Sequence, residues 1–336
     1  MRAIERFPRV SLLCLLSLGF SMVTAIRVLP QTAPATNHIR AASNHSDGII
    51  YVRAGGAYPP TPTGIQSAIN QAQANGGGHV ILPPTNGNPI LMGSSSLLLY
   101  SDVRISGAGR DVTVLDWSGD VNAITMGGSG LHNATLEDMS LQFEPAASTN
   151  SAAIRFVGGD GAQHLVWYNT FQNLHIIFNS SIGSTTAGIY ATSTGSATDI
   201  VLNVFSNIWV DGANQFAQCN GCEGNFWQSV LCSNCGWNFG TVLFQEGALE
   251  ADENVNARME SGSGNSAGVI CYSTTGSNNI VRLTCDANNG GATALRDTAG
   301  YNIFDVGSVG SPTLGTVSST SSCRYVASAT GTNINR

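Results

Sequence analysis

Phe205-Ser206-Asn207-Ile208 has six relatives along the chain: Leu136-Glu137-Asp138-Met139, Phe171-Gln172-Asn173-Leu174, Trp227-Gln228-Ser229-Val230, Asn256-Ala257-Arg258-Met259, Ile280-Val281-Arg282-Leu283 and Ile303-Phe304-Asp305-Val306. Their last residues lie 22 to 35 residues apart. A spacing near the lower figure that lengthens where a loop has grown is what a solenoid produces. One turn of chain cannot bury its apolar face alone, so turns stack and share a core. After each segment comes a further short strand, such as Ile208-Trp209-Val210, and a turn. The first strand of the next coil follows: Ala153–Phe156, Gly188–Tyr190, Phe216–Gln218, Phe239–Val242, Val269–Tyr272, Ala294–Arg296. Short β runs punctuated by Gly, Asn and Ser predict an all-β protein, a parallel β-solenoid with three strands per coil.

The penultimate position of each segment reads Asp138, Asn173, Asn207, Ser229, Arg258, Arg282, Asp305. Asn and Asp tolerate tight bends and hydrogen-bond nearby backbone. Stacked at one corner, they are expected to form a ladder satisfying buried amides. Arg258 and Arg282 break the pattern and are expected to point outward or to pair with Glu260 or Asp286.

Upstream, Ile49–Val52 reads as a strand. Thr63 is positioned to cap a helix through Ala74, whose apolar residues 65, 68, 69 and 72 share one face. Such a helix would plug the open first coil, which otherwise exposes core and unpaired backbone. Residues 1–25 read as a signal peptide. Arg2, Arg6 and Arg9 precede a 14-residue apolar run, and Val23-Thr24-Ala25 offers a cleavage site. The bland alternative is an uncleaved anchor. Residues 26–48 read as a flexible lead-in, 49–310 as the solenoid, and 311–336 as a Ser/Thr-rich segment covering or trailing the last coil.

The chain has no lysine: its 14 basic residues are all Arg, against 21 acids, for a net charge of -7. That surface is a poor match for nucleic acid or for a membrane after signal cleavage, and a better one for a neutral polar partner such as a polysaccharide; the bland alternative is that a stacked-coil surface is simply uncharged. Cys219-Asn-Gly-Cys222 and Cys232-Ser-Asn-Cys235 form two CxxC pairs nine residues apart. This spacing suits zinc in a cytosolic protein, but an export signal favours disulfides or packed thiols. Cys232 is also expected to share a stacked column with Ser261 and Cys285.

With the helix Gly64-Ile65-Gln66-Ser67-Ala68-Ile69, the break Gly76-Gly77-Gly78-His79-Val80-Ile81-Leu82-Pro83-Pro84 and the turn Val103-Arg104-Ile105-Ser106-Gly107-Ala108-Gly109-Arg110, the chain resembles the right-handed parallel β-helix superfamily of pectate lyases and polygalacturonases. The resemblance implies that fold, a short N-terminal capping α-helix, and a glycan groove along the first sheet and its loops. It carries over no catalytic residue. The Asn-Thr-Asp, Asp-Asp, Gly-His-Gly and Arg-Ile-Lys signatures of polygalacturonases have no counterpart here, and no lysine base exists.

Site candidates follow from the residues. The loop after Phe156 carries Asp160, His164, Trp167 and Tyr168, where aromatic faces suit sugar rings. Trp167 packing its own loop down is the alternative. The loop at 243–253 carries Glu246, Glu250, Asp252 and Glu253. These carboxylates suit Ca2+ or the acid/base pair of glycoside hydrolysis, or are simply a solvated face. Arg155 and Tyr190 on adjacent coils could clamp an acidic sugar and serve lyase chemistry, with Tyr272 and Arg296 as further binding residues. Arg155 and Arg296, five coils or about 24 Å apart, cannot share one centre. Asp211 and Asp286 are metal-ligand candidates. The expected function is a secreted, carbohydrate-active protein. An eliminating lyase is placed ahead of a glycoside hydrolase, with a non-catalytic glycan-binding or surface-structural solenoid as the rival.

Overall fold

In the strand Thr135–Glu144, Leu136, Met139, Leu141 and Phe143 are all buried. The step from 136 to 139 is three residues, where a strand's alternation demands two. Asp138 supplies the extra residue by taking a left-handed conformation, φ 58°. It bends the strand around a corner and lets apolar residues face inward on both sides of the bend. Asn173, Asn207 and Ser229 do the same in the next three coils, with φ of 51°, 50° and 54°. Asn and Asp reach this region at low cost because their short polar chains bond locally.

The structure is a computed structural model that describes residues 48–128, 130–144, 151–158, 165–178, 186–193, 200–238, 241–247, 252–261, 267–287, 291–310, 312–327 and 333–335. These belong to one unit, Ser46–Arg336. It is a right-handed parallel β-helix, as crossovers between parallel strands demand. A long sheet takes the bent strands of successive coils. A second sheet runs from Leu97–Leu99 through Ala152–Gly158 and Ala187–Ser193 to Thr313–Thr316. A short third sheet holds Leu131–His132, Val166–Trp167, Ile200–Val201 and Cys222–Glu223. Beyond residue 310 the chain adds one further coil, Thr313–Thr316 and Ser322–Ala327, and Asn333–Asn335 then pairs antiparallel with the latter.

The repeat register needs one correction. Val230 pairs with Ala257, not Met259, and Ala257 with Leu283. The left-handed bend is absent from Asn254–Ser261 onward, so those strands run straight and lose a residue. Arg258 and Arg282 therefore belong to different columns. Arg258 does pair outward as expected, with Asp286 at 2.7 Å and Glu260 at 3.6 Å. Cys232 stacks with Met259 and Cys285, and Ser261 is not in that column.

The helix Pro62–Ala74 is capped by Thr61, not Thr63: Thr61 Oγ1 accepts from the backbone N of Gly64 at 3.2 Å. Pro62 fits the first helical position because no N–H is needed there. The helix buries Ile65, Ala68, Ile69 and Ala72. Gln66 grips the edge strand of the second sheet. Its Oε1 accepts from Leu98 N at 2.8 Å and its Nε2 donates to Leu98 O at 3.3 Å. The plug thus satisfies backbone that an open first coil would leave unpaired.

Inside, rings pack in a continuous row: Phe171–Phe205 at 5.2 Å and Phe205–Trp227 at 3.9 Å are stacked, and Trp227–Phe244 at 4.9 Å and Phe244–Tyr272 at 5.3 Å meet edge-on. Beside them runs a buried side-chain ladder, Asn169, Asn203, Asn225, Glu253, Asn279, Asn302 and Ser321. Each rung accepts the backbone N–H of the rung before it. The expected corner ladder also exists, Asn207 to Asn173 at 2.9 Å and Asn173 to Asp138 at 2.6 Å, but it lies toward solvent. The backbone amides are satisfied by the inner ladder. Cys219–Cys222, Cys232–Cys235 and Cys271–Cys285 are disulfides. Each CxxC closes on itself inside the core, which leaves no thiolate set for zinc.

Candidate functional site

The outer face of the second sheet offers one side chain per coil, in register: Thr125, Arg155, Tyr190, Gln218 and Gln245. Arg155 and Tyr190 are direct register partners, and the guanidinium carbon lies 5.3 Å from the Tyr190 ring centroid. A guanidinium over a ring face is held by the ring quadrupole while its N–H edge stays available. Arg296 lies farther along the same face. It is exposed and donates to Ser273 Oγ at 3.0 Å.

At the corner that leads into the long sheet, Asp102, Asn133, Tyr168 and Leu202 occupy equivalent turns with φ of 62°, 53°, 55° and 55°. For Asp and Asn this conformation is ordinary. For a bulky Tyr it is strained, and it throws the ring outward. Tyr168 is 52% exposed and Trp167 39%. Their rings lie 5.1 Å apart, and Trp167 meets its register partner His132 edge-on at 6.1 Å.

Two adjoining clefts open here. One, of about 450 Å³, is lined by Tyr100, Asp102, His132 and the glycines 127, 128 and 130. The other, of about 300 Å³, is lined by Asn122, Thr125, Met126, Arg155 and Val157, and Gly128 borders both. A Cβ at Gly127 would collide with the Tyr100 ring, so glycine keeps that wall low. His132 Nδ1 lies 3.9 Å from Asp102 Oδ2, and Asn133 Nδ2 donates to Asp102 Oδ1 at 3.2 Å. The clefts thus hold the half-buried Arg155 and a histidine–carboxylate pair, and the exposed Trp167–Tyr168 step stands beside them through the Trp167 contact with His132.

Other expected site residues go elsewhere. His164 and Glu250 lie outside the described residues. Tyr272 is fully buried, because the parity of Ile270–Thr274 turns Ser273 outward and Tyr272 in. It cannot touch a glycan; its hydroxyl donates to Glu246 Oε2 at 2.6 Å. Glu246 is also interior, at 1% exposure, since Phe244 and Glu246 share the inward parity of Val242–Gly247. Asp252 sits outward on a left-handed turn, φ 46°, so Glu246 and Asp252 are on opposite sides of the wall and form no acid/base pair. Burial raises Glu246 to about 7, against Tyr272's hydrogen bond.

Asp211 and Asp286 share one outward column, with Ser233 and Glu260 between them. Three coils separate them, about 14 Å. Asp286 is held by Arg258, and Asp211 accepts from Ser233 Oγ at 3.0 Å. They do not fit a shared Ca2+. Among the described residues no group of three or more His, Cys, Asp or Glu has metal-holding geometry.

Sequence reasoning passed over Tyr100, Asp102 and His132, and a second cluster on the long sheet. There His175 Nδ1 lies 2.6 Å from Asp111 Oδ1, which also accepts from Ser140 Oγ at 2.9 Å. The imidazole stacks on Trp209 at 4.2 Å, and Arg110 lies over the same indole. The Gly107-Ala108-Gly109 turn delivers Arg110 and Asp111 to this place. Burial raises Asp111, but hydrogen bonds from His175 and Ser140 and the charges of His175 and Arg110 outweigh it, so its carboxyl lies below the usual range.

No protein-family model matches the chain, and no curated protein matches it. Among solved structures it is similar to ORF18 of Geobacillus virus E2, at 13% identity and TM-score 0.47, over 83% of this chain and 61% of that one. It is similar to the catalytic domain of a GH87 alpha-1,3-glucanase in complex with tetrasaccharides, at 14% identity and TM-score 0.47, over 80% and 46%. It is also similar to the gp42 tailspike of an Acinetobacter phage, at 11% identity and TM-score 0.46, over 87% and 65%. The chain spans less than two thirds of the length of each. At such identities the likeness concerns the coil architecture, and the chemistry of the clefts rests on this chain's own residues. The chain is a right-handed parallel β-helix protein.

Proposed function

We propose that this protein is exported and binds an acidic polysaccharide in the paired clefts beside Trp167. The observation that carries the reading is the exposed Trp167–Tyr168 step standing next to clefts that end at Arg155 over Tyr190. Sugar C–H faces stack on the rings, and the guanidinium takes a uronate carboxylate as a charge-assisted pair. The net charge of -7 repels a polyanion, so this binding has to come from the local contacts at Arg155 and the rings. Export rests on the N-terminal segment and is supported by three buried disulfides, which persist in oxidising compartments. Among the described residues no helix is long and apolar enough to cross a membrane.

A second reading is eliminative cleavage, favoured by the Asp102–His132 pair lining the cleft that adjoins Arg155. A base takes the proton next to the uronate carboxylate. The electron pair forms a carbon–carbon double bond, and the glycosidic oxygen leaves with a proton while Arg155 holds the carboxylate.

Binding is tested by titrating the mature chain with polygalacturonate, alginate and a neutral glucan, following tryptophan fluorescence and calorimetry. The expected result is binding of the acidic polymers, weakened about tenfold or more by Arg155→Ala and by Trp167→Ala. Equal affinity for the neutral glucan, or binding untouched by both variants, overturns it. Ultraviolet absorbance from new double bonds distinguishes cleavage from binding alone.

A further inference from the structure

The inner ladder changes chemistry at one rung. Six of its rungs are neutral amides or a hydroxyl, and the fourth is Glu253, which is 1% exposed. Its Oε1 accepts from Asn225 N at 3.2 Å and Asn225 Nδ2 at 2.8 Å. Its Oε2 accepts from Trp227 Nε1 at 2.7 Å. Asparagine is too short to reach that indole, and glutamine would aim an NH2 at one of these donors.

Two more carboxylates face the same interior from the second sheet. Glu246 and Asp297 stand in one inward column with Thr274 between them. Asp297 is fully used: its Oδ1 accepts from Ala299 N, Gly300 N and Asn302 Nδ2, and its Oδ2 from Ser318 N and Ser321 Oγ. Glu246 is not. Its Oε2 takes the Tyr272 hydroxyl, while its buried Oε1 has no partner. The Thr274 hydroxyl stands close enough to lower the Glu246 carboxyl, but it donates to Gly276 O at 3.2 Å. Trp227, Phe244, Cys219 and Asn279 complete the surroundings of the two glutamates. Among the described residues no arginine or histidine is bonded to any of the three carboxylates.

Three uncompensated anions in a core of low dielectric would cost more than the fold can supply, and such groups neutralise instead. The donor count says where. Glu253 receives three N–H bonds, which favour its charged form, whereas Glu246 receives one and has a bare oxygen. We propose that Glu246 and Glu253 form an internal proton-binding site, in which Glu246 Oε1 carries one proton in the folded chain and its loss loosens the coils from Val242 to Asp297. Burial pushes both glutamates up, Glu246 to about 7 and Glu253 well above its ordinary value; the charge of Asp297 adds to the rise at Glu246, and the charge of Glu246 to the rise at Glu253. Burial and Glu246 also push the Tyr272 hydroxyl up, so it stays a donor.

The consequence is a protein most stable in mildly acidic surroundings. The test uses the full mature chain, with unfolding followed by denaturant from pH 4.5 to 8.5, and infrared spectra of the carboxyl carbonyl in the folded state. The expected result is an unfolding equilibrium that shifts toward the unfolded form by on the order of 100-fold as pH rises from 4.5 to 7.5. A protonated-carboxyl band should be present at pH 5.5, lost near pH 8 and absent in Glu246→Gln, which keeps an acceptor for Tyr272 without a titrating group. That variant should show a flattened pH dependence. A wild-type chain lacking the band at pH 5.5, or a Glu246→Gln variant keeping both the band and the full pH slope, overturns the proposal. Should Glu246→Gln not fold, the wild-type band still decides, together with Trp227 fluorescence, which reads the state of the acceptor on its indole N–H.

Discussion

Asn203 and Asn225 are joined twice: the backbone N of Asn203 and its side-chain Nδ2 both reach Asn225 Oδ1 at 2.9 Å. Asn203 in turn offers its own Oδ1 to the N and Nδ2 of Asn169, and its Nδ2 also donates to Val166 O. One side chain therefore settles two backbone groups of the preceding coil and ties them to the side chain of the next. Asn203→Ala leaves buried donors on Asn169 and the Val166 carbonyl without partners. The expected cost is about 3 kcal/mol, read as a lowered midpoint in denaturant melts. Asn207→Gly, in the outer ladder, keeps the left-handed bend and is expected to cost under about 1 kcal/mol, because water replaces its bonds.

This ladder was not legible in the sequence, whereas the coils were. Phe205-Ser206-Asn207-Ile208 and its relatives announce themselves through apolar spacing that survives loop insertions. Asn169, Asn203 and Asn225 are separated by 34 and 22 residues of changing loop, and asparagine is common at any turn. The inward placement of Glu246 had a signal: once Phe244 is taken as core, alternation puts Glu246 beside it. The charge led instead toward a solvated or catalytic loop. Asp111 and His175 are 64 residues apart, and only the stacking of coils brings them together.

The disulfide Cys271–Cys285 joins the second sheet to the long sheet across a 14-residue separation. Closing a loop of that size restricts the unfolded chain by about 3 kcal/mol. The double variant Cys271→Ala, Cys285→Ala should fall in stability by about that amount. In the wild type, reductant without denaturant should leave the midpoint unchanged, because both sulfurs are buried. Denaturant melts of the variant, and of wild type pretreated with reductant that is removed before the melt, check both statements.

Asp111 carries a pH dependence opposite in sign to that of Glu246. Its folded carboxyl lies below the usual value because hydrogen bonds from His175 and Ser140 outweigh burial. The stability it contributes is present above the ordinary value of 3.8 and is lost as pH falls through the lower, folded value. Its side chain is 57% exposed, so the effect is modest and screened by salt. Thermal melts between pH 2 and 5 should show a shallower acid-side loss for Asp111→Asn than for the wild type. Identical slopes would mean that the His175 contact carries no net energy.

Tyr168 separates binding from folding. Its turn has φ 55°, a region where a bulky side chain is strained by about 1 kcal/mol or more, and equivalent turns nearby use Asp102, Asn133, Leu202 and Gly224. Half its surface is exposed, so little apolar burial offsets the strain. Tyr168→Gly is expected to raise the unfolding midpoint, by about 0.5–1 kcal/mol after the greater unfolded-state entropy of glycine is subtracted, and to weaken acidic polysaccharide binding several-fold. Denaturant melts and calorimetric titration on the same preparation check the pair of outcomes. A variant that is less stable and binds as before would assign Tyr168 to packing Trp167 down, and would leave Trp167 and Arg155 as the ligand contacts.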